Sequence, residues 1–222
     1  MLPSLQGLTA GGEMGEMGGT MTEPMSAGLF IGMWVTMMVA MMFPSVAPMV
    51  ITQWRIAKQR RQGPLSVPVF VGGYLFVWTL IGIGAFALYR ATLAVAPDLS
   101  LRSAALFGGV ALVAAGAYQL TPMKNVCLSH CRGPLQFVLH WRPGLGGAAR
   151  MGGEHGLYCV GCCWGLMIVL FVVGLMNLAW MGAIAAVIFV EKIAPFGMKA
   201  SRVVGGTLIA LGAAMAVWPA II

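Results

Sequence analysis

Residues 157–178, LYCVGCCWGLMIVLFVVGLMNL, hold no charged side chain and are apolar for a full helical span. A helix of roughly 20 such residues crosses a bilayer. Five further runs share this character: about Ala27–Val50, Val67–Tyr89, Ser103–Thr121, Ala179–Pro195 and Arg202–Trp218. The chain of 222 residues is 59% hydrophobic and 9% charged, against roughly 25% charged residues in soluble domains. The expected fold class is an all-α polytopic membrane bundle of six helices. Residues 27–222 form one transmembrane domain, and the Cys/His segment at about 122–156 is its third loop. Residues 1–26 hold no Lys or Arg and no apolar run, so they read as a Met/Gly-rich flexible tail and not as a signal peptide.

The basic residues set the expected orientation. Arg55, Lys58, Arg60 and Arg61 follow the first run, Lys124, Arg132, Arg142 and Arg150 the third, and Lys192, Lys199 and Arg202 the fifth. That leaves Arg90 and Arg102 for the other side. The positive-inside rule then puts these loops in the cytoplasm and both termini outside. The location this implies is a bacterial inner membrane. The net charge of +7 reflects that bias and not nucleic-acid binding.

The same opening stretch carries chemistry. All five cysteines and all three histidines lie between Cys127 and Cys163. On a helix starting near His155, the residues His155, Cys159, Cys162 and Cys163 fall within an arc of roughly 100°. Upstream, CLSHC places Cys127, His130 and Cys131 on one turn, with Cys127 and Cys131 as an i, i+4 pair. The Gly-rich segment RPGLGGAARMGGEHG reads as a flexible loop able to fold the two groups together. Thiolate and imidazole suit copper, zinc or iron. Two other readings compete. Cys159–Cys162 is a C-x-x-C and could serve as a redox dithiol, although the cytoplasmic side keeps thiols reduced. Cysteines also pack as small apolar residues. His140, in an interfacial segment beside Trp141, stays outside the set.

Eighteen methionines are present, eleven of them before residue 50. Met14, Met17, Met21 and Met25 in the tail, with Met33, Met37 and Met41 in the first span, sketch a soft-metal path. The thioether selects Cu(I) and needs no deprotonation. The competing reading is adaptable packing. Pro44 and Pro48 each remove a helix hydrogen bond, which makes this end of the span a candidate wall of the site. Glu191 and Lys192 read as an interfacial snorkelling pair, and Asn177 as the cap of the turn before the fifth span.

Four segments, YQLTPMKNVCLSHCRGPLQF (118–137), HWRPG (140–144), RMGGEHGLYCVGCCWGLM (150–167) and GLMNLAWMGAIAAVIFVEKIAP (174–195), resemble a bacterial family of uncharacterised, predicted metal-binding integral membrane proteins. The resemblance implies that Cys127, Cys131, His155, Cys159, Cys162 and Cys163 belong to the family motif. The expected function is soft-metal binding, copper favoured over zinc or iron, in transport or delivery. The alternative is a membrane metallo-oxidoreductase or thiol redox protein using the same cluster. No enzymatic motif beyond the Cys/His cluster and no ATP-binding loop is visible. The partners implied are the lipid bilayer, a copper chaperone or cuproprotein, and a second copy of the chain.

Overall fold

Thr121 shows how local sequence shapes the chain. Its successor is Pro122, and a residue before proline is pushed out of the helical region. Thr121 is accordingly extended (φ −73°, ψ 150°), and its hydroxyl accepts from the Lys124 amide. One helix ends there and another begins, bent by 64°. The computed structural model describes residues 25–95, 101–133, 139, 141–173 and 177–217. Seven helices are described within them: α1 (Ala27–Gln59), α2 (Ser66–Val95), α3 (Leu101–Gln119), α4 (Pro122–Arg132), α5 (Gly144–Val173), α6 (Leu178–Ile193) and α7 (Gly197–Val217). No strand occurs among the described residues.

Four stretches are long and apolar enough to cross a membrane: Ala27–Gln59, Ser66–Ala91, Gly144–Val172 and Gly197–Val217. The bent pair α3–α4 makes a fifth if counted as one broken span. α6 has 16 residues, a rise of about 24 Å against a hydrocarbon core of about 30 Å. Helix length therefore supports four to five spans, short of the six expected from the hydrophobic runs.

α1 outruns its expected end at Val50 because one face stays buried, through Gln53 and Ala57. The Gln53 amide donates to the Ser66 hydroxyl at 3.0 Å, tying the end of α1 to the start of α2. α6 starts at Asn177, whose side chain accepts from the amides of Ala179 and Trp180, the capping role expected of it. It stops at Ala194, before Pro195.

α3 packs against α7, α2 against α5, and α1 against both α2 and α6, while α4 lies on α5. Small residues permit the closest approaches. A side chain on Gly109 would meet the Gly212 carbonyl, and one on Gly205 would meet that of Gly116. Between α2 and α5, a Cβ on Gly152 would overlap the Phe70 carbonyl, and one on Gly73 the Ala149 carbonyl. Backbone cannot yield as a flexible side chain does. Gly152→Ala is expected to cost about 1–3 kcal/mol, read as a lower thermal midpoint in detergent. Gly146→Ala, which meets nothing within 4 Å, should leave the midpoint unchanged or raise it.

The core is built from Phe70, Tyr74, Trp78, Met38, Met42, Leu128, Leu170 and Ile188. Polar residues sit inside it as well, among them Lys124, Gln119, Glu191 and Lys192. Of these, Lys192 reaches the thiols.

Candidate metal centre

The helix α5 turns Cys159, Cys162 and Cys163 to one buried face, with their Sγ atoms all within 4.8 Å of one another. The Cys162 and Cys163 thiols both donate to the Cys159 carbonyl, at 3.1 and 2.9 Å, which holds them against their own helix. α4 adds a fourth thiol, since Cys131 Sγ lies 3.8 Å from Cys162 Sγ. All five cysteines are free. Two sulfurs 3.8 Å apart, each about 2.3 Å from a shared ion, would subtend about 110° at it. That pair is therefore spaced to share one soft ion, while the group whose sulfurs all lie within 4.8 Å of one another is Cys159, Cys162 and Cys163.

Cys127 lies one turn before Cys131 on α4 and is half-buried. Its sulfur rests on Gly161, where an added Cβ would come within 2.7 Å of it. Cys127 thus stands beside the cluster with part of its surface open.

The two histidines of the sequence-derived set do not join the thiols. His130 is half-buried; its Nδ1 faces the Val126 carbonyl at 2.9 Å, and its ring stacks on Tyr158 at 4.4 Å. His155 is buried between the rings of Phe70 and Tyr74, 6.2 and 6.0 Å away. Among the described residues, the metal-holding group on α5 is the three cysteines without it. His140 lies outside the described residues.

In the segment at about 122–156, expected as a loop, most of the described residues are helical. α4 covers Pro122–Arg132, and α5 begins at Gly144, eleven residues before His155. Gly144 itself takes a left-handed φ of 79°, which glycine adopts without a Cβ penalty, and the chain turns into the helix there. The two cysteine groups meet where α4 packs along α5.

Three side chains that the sequence reading left out of the site line it. Lys192 Nζ lies 2.9 Å from Cys159 Sγ and 3.5 Å from Ser45 Oγ. The Tyr74 hydroxyl lies 3.2 Å from Cys159 Sγ. Glu191 and Lys192 do not form the expected interfacial pair. Glu191 is 2% exposed and meets Lys124, which is 0% exposed, at 2.7 Å. Gln119 donates to its other oxygen at 3.3 Å. Consecutive helix residues point about 100° apart, so Glu191 reaches α4 while Lys192 reaches the thiols. Arg132 donates to the carbonyls of Glu191 and Ala194, a second tie between α4 and α6.

Pro44 and Pro48 are exposed and do not themselves face the thiols. The wall at this end of α1 is Ser45, buried and bonded to the Met42 carbonyl at 2.8 Å. Of the methionines proposed as a path, Met14, Met17 and Met21 lie outside the described residues. Met25 is half-buried. Met33 and Met37 line a cavity of about 570 Å³ together with Trp34 and Met181. Met41 is buried in the core beside Met38 and Met42, the arrangement expected of packing residues.

No curated protein and no solved structure matches the chain. A family model does, from residue 31 to residue 215, a stretch that holds every cysteine, Lys192 and the helices that carry them. The chain belongs to that family, PpoB2, which is described as copper chaperone.

Proposed function

We propose that the chain is a multi-pass membrane protein that binds copper in its buried thiol cluster and delivers it to a cuproprotein or another copper carrier. The observation that carries this reading is the convergence of Cys131, Cys159, Cys162 and Cys163 from two helices. Four reduced thiols gathered in an apolar interior make a soft donor set, which favours Cu(I) over hard cations. The family description points the same way. The half-buried Cys127 gives the metal a surface thiol through which to leave or enter. Cys159 and Cys162, at 0% and 2% exposure, are poorly placed for exchange with a partner's disulfide, which needs access to the sulfur.

The membrane setting rests on the four to five apolar helices and on the large apolar side chains left exposed along them, among them Phe76, Leu80, Ile83, Phe107, Val110 and Leu211. Contiguous apolar surface of this kind marks a membrane or partner face. The arrangement we favour has six crossings, with the short α6 as the fifth, both termini outside a bacterial inner membrane, and the thiols toward the cytoplasmic side. In that frame, movement of copper across the membrane is an extension of the same site.

Metal analysis of the full chain, purified anaerobically in mild detergent, tests the reading. About one copper per chain is expected, one ion being what thiols at this spacing can share. Zinc in its place, or no metal after reconstitution with Cu(I), would overturn it.

A further inference from the structure

A buried amine stands against the thiols, and among the described residues no carboxylate pairs with it. Lys192 is 5% exposed, and its Nζ lies 2.9 Å from Cys159 Sγ and 3.5 Å from Ser45 Oγ. The adjacent acid, Glu191, is committed to Lys124 at 2.7 Å. Among the described residues the ion pairs are Lys124–Glu191 and the exposed Arg150–Glu154, and neither includes Lys192. A buried charge without a partner is costly, so the cluster's thiolates are the anions that Lys192 is placed to meet.

We propose that Lys192 is a built-in counter-cation of the thiol cluster that biases it toward a monovalent metal ion. The inference rests on the copper reading above and adds what decides the choice of ion. With the same thiolates engaged, a site holding a monocation is one unit more negative than a site holding a dication. An ammonium 2.9 Å from one of the sulfurs therefore stabilises the monocation form more. The protons displaced from the thiols are the same in both cases, so they cancel in the ratio of the two affinities. Lys192 is a positioning residue by this account: it acts on the ion through the sulfur it touches. Ser45 and Tyr74 complete the polar shell, the first on the ammonium and the second on the Cys159 sulfur. Both are neutral hydroxyls and leave the charge difference intact.

The experiment titrates Cu(I) alone and Zn(II) alone, anaerobically, against a competing chelator, in the full chain and in Lys192→Gln, Lys192→Met and Lys192→Arg. Gln keeps a donor for Cys159 and Ser45 without the charge, Met keeps the volume, and Arg keeps the charge. The Cu(I)-to-Zn(II) affinity ratio is expected to fall by about tenfold or more in the Gln and Met variants, as one charge at this range in a protein interior allows. It should stay near the wild-type value in the Arg variant. An unchanged ratio in whichever neutral variant folds, or an equal fall in the Arg variant, overturns the proposal. A wild-type chain that binds no Cu(I) overturns the copper reading itself, and the two failures are thereby told apart.

Discussion

Replacing Glu191 with alanine is expected to destabilise the protein by about 3–5 kcal/mol, the usual cost of removing one partner from a buried ion pair. Lys124 is fully buried, and Glu191 meets it at 2.7 Å. Without the carboxylate, the ammonium is left in an apolar interior. Gln119 also loses the oxygen to which it donates at 3.3 Å. The effect reaches the site, because the pair joins α4, which carries Cys127 and Cys131, to α6, which carries Lys192. Thermal unfolding followed by circular dichroism in detergent measures the loss. The double variant Lys124→Met/Glu191→Met removes both charges and should recover most of it, since apolar residues of similar volume replace a buried pair at little net cost. A single Glu191→Ala variant as stable as the wild type would mean that the pair does not hold α4 in place.

The apolar runs were legible from their uninterrupted length, and the cysteine groups from helical periodicity. Cys159, Cys162 and Cys163 lie on one face because 3.6 residues make a turn, and that holds whatever packs against them. Cys131 follows from its i, i+4 relation to Cys127. The start of α5 was hidden because Gly144, Gly146, Gly147, Gly152 and Gly153 lower helix propensity and resemble a linker. Tertiary packing reverses that signal: Gly152 and Gly73 let α5 approach the backbone of α2, where any side chain would block it. His130 and His155, expected as ligands, stand outside the group of three thiols. Spacing gives the face of a helix but not the rotamer, and each ring found an aromatic neighbour, Tyr158 in one case and Phe70 with Tyr74 in the other. Glu191 and Lys192 looked interfacial because adjacent opposite charges near a helix end normally are. Their burial depends on Lys124 and Cys159, 67 and 33 residues away, which no local pattern displays. The signal available was the charge itself, since an acid or amine in a short apolar helix is a functional-site candidate by default.

Cys162→Ser is expected to abolish stoichiometric copper binding, with affinity reduced at least about 100-fold, while His130→Ala binds as the wild type does. Cys162 is the sulfur that joins the two helices' contributions. It lies 3.8 Å from Cys131 on α4 and within the 4.8 Å group of Cys159 and Cys163 on α5. Serine is close in size and keeps a donor for the Cys159 carbonyl, but its oxygen is a hard, neutral ligand that soft metals bind weakly. Because even outer-shell changes cost 10–100-fold in metal affinity, loss of a shared sulfur belongs at or beyond the top of that range. His130 stacks on Tyr158 with its Nδ1 against the Val126 carbonyl, so its loss leaves the thiols as they are. The measurement is competition with a Cu(I) chelator on each purified variant, alongside a melting curve to show that the fold persists. Equal loss in both variants would return His130 to the ligand set and require α4 to rotate when metal binds. Retention in both would take Cys162 out of the ligand set and leave Cys127, Cys131, Cys159 and Cys163 as the next donors to test.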